Sequence, residues 1–135
     1  IGNTTYLCDP GSGLYDSTYF SKKRYENAFA GSYGHSVPRI GGEQQKPGAP
    51  YRGTLQVGED GAVRIAMHET YGLPDLKSLM RTIRIGDDGT VSFEDAYRFD
   101  GAGREVEEAF VTWLNVKVKG STARKRLHTP WRAYS

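Results

Sequence analysis

Two short loops of nearly the same composition constrain this chain most: Gly58-Glu59-Asp60-Gly61 and Gly86-Asp87-Asp88-Gly89. Asp-Gly is a strong hairpin signal, because the tight turn needs a positive φ that glycine adopts without steric cost. Both loops sit between runs that alternate in polarity. Tyr51 to Val57 alternates around Gly53 and Leu55, and Ala62 to His68 places Val63, Ile65 and Met67 on one face. Around the second loop, Leu79, Arg81, Ile83 and Ile85 share a side, and Thr90 to Phe99 returns with Val91, Phe93, Asp95 and Tyr97. A period of two is the signature of a strand. Two such hairpins in succession predict a meander in a twisted antiparallel sheet.

Val106 to Leu114 and Val116 to Lys119 read as two more strands, with Val116 and Val118 between charges giving one wet face. Helical signal is thin: Asp75 to Met80 has room for one turn behind Gly72 and Pro74. The expected fold class is all-β, an antiparallel β-sandwich. A chain of 135 residues suits a single domain with a real core. Its 17 glycines, about 13% against a usual ~7%, fit short strands joined by tight turns.

No apolar run reaches the ~18 residues a membrane span requires, so no membrane partner is expected. The first residues lack the basic-then-apolar pattern of a signal peptide, so none is expected among them, and Ile1 rather than Met leads into an apparent strand, Thr4 to Cys8. That start fits a processed or trimmed chain. Cys8 is the lone cysteine, which excludes an intramolecular disulfide and a Cys-based zinc motif. The residue beside Leu7 and Tyr6 reads as core. Charge is uneven. From Ala109 onward there are no acids, only Lys117, Lys119, Arg124, Lys125, Arg126 and Arg132. Such an end suits an anionic partner or simply a solvated tail.

The first fifty residues are different: Gly/Tyr-rich loops with few clean strands. Loops on a rigid scaffold carry function more often than strands do. Here Asp9 follows the apparent strand and precedes a Pro-Gly turn. His35 lies among Gly and Ser at an apparent strand start. An Asp and a His suit zinc, although a structural site takes four ligands and a catalytic one usually three. His35 also suits acid/base work near neutral pH, or simply a hydrogen-bonded place near a turn. His68 and His128 stand in other contexts and need not converge with it. With nine tyrosines in the chain most must be packing residues. A catalytic tyrosinate would need a neighbouring cation or metal, given a reference pKa near ~10.

Taken in order, these residues resemble the carboxy-terminal domain of the heparinase II/III-like polysaccharide lyases. The matching features are Asp9-x-Gly11 then Tyr15, Arg24, and Gly34-His35 leading through Gly41-Gly42 to Gln45. Further on come Tyr71-Gly72 and Arg81, which opens the hairpin leading to Asp95. The resemblance runs to about Leu114 and is most specific in the first fifty residues. It departs from the family at Ser36, which follows His35 where the family usually has Asn.

The resemblance implies that residues 1–135 form one β-sandwich domain of a longer protein whose helical toroid domain lies upstream. It implies β-elimination on anionic, uronic-acid-containing polysaccharides, glycosaminoglycans among them. Zinc would be held by Asp9 and His35, 26 positions apart, with a further His from a strand before Asp9. Tyr19 and Arg24 would be the catalytic residues on this domain, Arg24 as carboxylate partner, and Gln45 would meet substrate. Periplasmic or secreted placement follows from the family, as does inactivity of residues 1–135 alone. A second reading keeps the sandwich as a non-catalytic carbohydrate-binding or scaffold domain. A third, a β domain whose basic end binds nucleic acid, lacks any aromatic stacking motif, so no nucleic acid partner is expected.

Overall fold

Both predicted hairpins form, and by the same mechanism. In a computed structural model, which describes residues 5–11, 13, 15–119 and 122–124, Gly58 N–H donates to the Ala62 carbonyl at 2.9 Å and Gly61 N–H to that of Gly58 at 3.0 Å. Gly86 donates to Thr90 at 2.7 Å and Gly89 to Gly86 at 2.9 Å. Gly61 and Gly89 carry the positive φ, 72° and 79°. The aspartates do separate work: Asp60 Oδ1 accepts Ala62 N–H at 3.2 Å and Asp88 Oδ1 accepts Thr90 N–H at 2.9 Å. These Asx interactions close the loops from the side-chain side.

The strands in chain order are β1 (Arg39–Ile40), β2 (Thr54–Val57), β3 (Val63–Ala66), β4 (Leu76–Ile85), β5 (Val91–Phe99), β6 (Val106–Glu107), β7 (Lys117–Lys119) and β8 (Thr122–Arg124). A four-residue helix α1 (His68–Tyr71) follows β3. Strands β2-β3-β4-β5 make a four-stranded meander, β1 pairs with β6, and β7 pairs with β8, all antiparallel. The fold is all-β and sandwich-like, as expected.

Register places Gln56, Arg64, Thr82 and Glu94 in one cross-strand row, and Leu55, Ile65, Arg81 and Asp95 in the next. Successive rows face opposite sides, so one face of the sheet is polar. On the other, Met67, Tyr71, Leu76 and Leu79 are buried together with Ile40 of β1, and Ile65, Leu73, Tyr97 and Phe99 pack around them. Tyr71 is fully buried and its hydroxyl donates to the Pro38 carbonyl at 2.6 Å. The β1–β6 ladder thereby forms a second layer, with the Arg39–Glu107 ion pair on its rim.

Four sequence expectations change. Residues 75–80 do not form a helical turn: β4 begins at Leu76, pairs with Phe99, and absorbs a bulge between Leu76 and Ser78. Ladder pairing overrides local propensity there, and the helical turn falls at α1 instead. Thr5 to Cys8 is irregular (Thr4 lies outside the described residues), although Cys8 N–H donates to the Val111 carbonyl at 3.0 Å. Val106 to Leu114 is strand only at Val106–Glu107, because the residues beyond it spend their hydrogen bonds on loops rather than on a ladder. His35 does not start a strand; it ends a 3-10 turn, Ser32–Gly34, and β1 begins four residues later at Arg39. Cys8 is a free, partly buried thiol. The basic residues from Lys125 onward and His128 lie outside the described residues. No helix among the described residues is long and apolar enough to cross a membrane.

Candidate metal and substrate site

The first fifty residues hold their shape through short side-chain-to-backbone bonds rather than ladders. Asp9 Oδ1 accepts Gly11 N–H at 2.8 Å, and Asp16 Oδ1 accepts from the N–H of Thr18 at 2.8 Å and of Tyr19 at 3.0 Å. Ser21 Oγ caps the 3-10 turn Lys22–Glu26 by accepting Lys23 N–H at 3.1 Å. Asn27 Oδ1 accepts Phe29 N–H at 2.9 Å. Asp, Asn and Ser compete with regular structure in this way, which is why the segment is loops.

That scaffold brings Asp9 and His35 together. Asp9 Oδ2 faces His35 Nδ1 at 3.1 Å, and His35 Nε2 faces the Phe29 carbonyl at 3.2 Å. A carbonyl only accepts, so this contact is a hydrogen bond in the forms of His35 that carry a proton on Nε2. A metal-ligating His commonly gives its other N–H to a backbone carbonyl in this manner. Asp9 Oδ1 is occupied by Gly11, which turns Oδ2 toward Nδ1. The Gly11 N–H and, after it, His35 hold the Asp9 carboxyl below the usual carboxylate range. Donors on one tetrahedral zinc stand about 3.3 Å apart, from metal–ligand bonds of ~2.0–2.2 Å. The Asp9–His35 separation of 3.1 Å is close to that and is equally that of a direct hydrogen bond, so the pair offers two zinc donors that now face each other. Among the described residues no group of three or more His, Cys, Asp or Glu converges, so His68 does not join them.

His35 also borders a cavity of about 180 Å³ with Tyr25, Ser32, Gln45 and Lys46. Gln45 is anchored by its own N–H to Ser32 Oγ at 3.0 Å. Tyr19 and Arg24 meet each other: Arg24 Nη2 donates to the Tyr19 hydroxyl at 2.9 Å, and the guanidinium carbon lies 4.3 Å from the Tyr19 ring centre. Tyr19 is buried beneath exposed Tyr15 and Phe20, with ring centres 4.6 and 5.5 Å away. Arg24 lies 5.7 Å from the ring of Tyr25, a lining residue of the cavity. Arg24 Nε is buried with no partner among the described residues. His68 lies apart, with Glu69, Tyr51 and Pro74 along an open groove of about 500 Å³.

Sequence reasoning gave no role to a buried polar network behind this site. Arg81 binds Asp95 through two bonds, Nε–Oδ1 at 2.8 Å and Nη2–Oδ2 at 2.5 Å, with both side chains over nine-tenths buried. Arg81 Nη1 donates to the Ser36 carbonyl, and Nη2 lies 3.5 Å from Glu108 Oε2. Tyr97 donates its hydroxyl to Glu108. Burial pushes the Glu108 carboxyl and the Tyr97 phenol up from their usual values. The signal was present in the sequence: counting outward from the second hairpin pairs Arg81 with Asp95 on an inward-facing row.

The described residues thus define an all-β domain with a loop-built Asp–His pair beside a small cavity. No protein-family model matches the chain, and no curated protein does.

Proposed function

We propose that this chain is the β-sandwich domain of a polysaccharide lyase that cleaves uronic-acid-containing polysaccharides by β-elimination, working with a helical toroid domain of the same protein. The observation that carries this reading is the Asp9–His35 pair, oriented by Gly11 on one side and by the Phe29 carbonyl on the other. Zinc is the metal proposed for it, Asp9 Oδ2 and His35 Nδ1 supplying two of its donors. Bound there, zinc would supply positive charge and fix the loops that border the cavity.

Elimination asks three things of a site: a partner for the uronate carboxylate, a base for the proton beside it, and an acid for the leaving oxygen. Arg24 is the proposed carboxylate partner, since a guanidinium matches a carboxylate with two parallel donors. Tyr19 is the proposed proton carrier at its hydroxyl, which Arg24 already contacts. Gln45 is the proposed hydrogen-bonding contact for sugar hydroxyls at the cavity wall.

The test uses protein from the full-length gene. Elemental analysis should find near-stoichiometric zinc, lost in Asp9→Ala and His35→Ala. Turnover of uronic polysaccharides should raise ultraviolet absorbance as the unsaturated uronate forms, and Arg24→Ala should lower it by about 10²-fold or more. Protein without zinc and without turnover on any uronic polysaccharide would leave the non-catalytic carbohydrate-binding domain in place of this reading. Residues 1–135 alone should show no turnover.

A further inference from the structure

Asp9 and His35 are far apart in sequence, and both lie in irregular loops. Something must set their separation. Each has a neighbour fastened to the same residue. Cys8 N–H donates to the Val111 carbonyl at 3.0 Å, and Val111 N–H donates to Ser36 Oγ at 2.9 Å. One peptide segment therefore ties the residue before Asp9 to the residue after His35.

That segment is itself held on the sheet. Glu108 accepts the Tyr97 hydroxyl and lies beside Arg81. Phe110 meets Phe93 edge-on at 5.6 Å between ring centres and lies 5.6 Å from the Arg81 guanidinium carbon. Ser36 is fastened a second time, by Arg81 Nη1 on its carbonyl. Arg81 in turn is locked by Asp95 across β4 and β5. Strands β4 and β5 pair along their length, so this arrangement ties the loops to the β4–β5 ladder.

We infer that residues 108–111 are a strut that positions the Asp9–His35 pair, with Ser36 as the positioning residue at its node. The inference deepens the proposed function by naming what holds the metal-binding geometry, but the strut itself is a property of the chain without metal.

The experiment reads the coupling between Asp9 and His35 by the ¹⁵N resonances of the His35 ring at fixed pH, in the full chain without metal. Asp9→Asn should shift these resonances in the parent protein. In a Ser36→Ala background the same substitution should shift them several-fold less, with the amide spectrum of β4 and β5 unchanged. Ser36→Thr, which keeps the hydroxyl, should restore the response. Val111→Pro, which removes the N–H and keeps the carbonyl, is the second route to the same loss should Ser36→Ala perturb the fold. An Asp9→Asn response of equal size in the parent and in both variants overturns the strut. Zinc titration of the full-length protein separates the two ideas. Zinc binding that weakens ten-fold or more in Ser36→Ala supports both, whereas ring coupling without zinc binding keeps the strut and removes the metal reading.

Discussion

Arg81 shows how much one residue can settle. It lies at an inward position among Leu79 and Ile83, where a lone cation would be very costly. Asp95 stands opposite it in register and meets it with two bonds. Breaking such a pair leaves the other charge buried and unmatched, at a cost of about 3–5 kcal/mol. Asp95→Ala leaves Arg81 with Glu108 at 3.5 Å and the Ser36 carbonyl, so it should lower unfolding free energy by less than that, about 1.5–3 kcal/mol for the lost charged hydrogen bonds, measured by urea denaturation. Glu108 is the surplus carboxylate of the cluster. It faces Asp95, Arg81 and Tyr97, with Tyr71 behind them. Burial first, and Asp95 as well, raise its carboxyl above the usual 4.5. At low pH it is protonated in the folded and unfolded chains alike. As pH rises past about 4.5, the unfolded chain gives up its proton first, so stability falls with rising pH across that window and levels off above the raised value. Glu108→Gln removes the ionisation. Denaturation at several pH values should show the variant gaining on the parent from pH 4 upward; an equal slope in both would refute this. Asp60 runs the other way. Its pairing with Arg64 lowers it to about 2 from 3.8, so its contribution is present above 3.8 and lost as pH falls toward 2.

The elements divide by how local their causes are. The two hairpins were legible because everything that makes them lies within the loop: a glycine at positive φ and an aspartate two residues before the N–H it accepts. A Cβ on Gly61 would meet nothing within 4 Å, so any loss on substitution is the backbone's own. Gly61→Ala should cost about 1 kcal/mol, and Gly61→Asn less, because Asn tolerates the left-handed region. Denaturant midpoints with unchanged slopes would check both. Segments whose partners lie far away were not legible. Residues 75–80 carry a helix-compatible pattern, and only Phe99, reached through the second hairpin, makes Leu76 a strand residue. Residues 108–111 alternate well enough for a strand, yet their partners are Tyr97, Phe93, Ser36 and Cys8 rather than one neighbouring strand. Residue types alone left His35 as a hydrogen-bonded residue near a turn, and its meeting with Asp9 was an expectation of the resemblance. The orientation of the pair was not legible, because that depends on the Phe29 carbonyl and on the strut.

At the scale of the whole molecule, the core fills one end of the sheet and stops. Ile40, Met67, Tyr71, Leu76 and Leu79 are buried near the start of β4. Toward the hairpin tips the same apolar face continues through Val63, Ile83 and Phe93, all half-buried, to open positions. Leu55 is 61% exposed, Val57 67%, Ile85 76% and Val91 44%. Val57 pairs with Val63, Val63 with Ile83 and Ile85 with Val91, so these side chains form one patch. Strand β2 is also an edge, lying outermost in the order β2-β3-β4-β5. An apolar patch beside an open strand edge is a template for association. Substituting a side chain that is already mostly in water removes little buried area, so stability should hold within about 0.5 kcal/mol. Leu55→Lys with Ile85→Lys should thus melt like the parent while showing weaker concentration-dependent association in sedimentation velocity. Loss of stability by several kcal/mol would mean instead that these residues are covered in the working protein, and that the sheet's apolar face is completed by chain beyond the described residues.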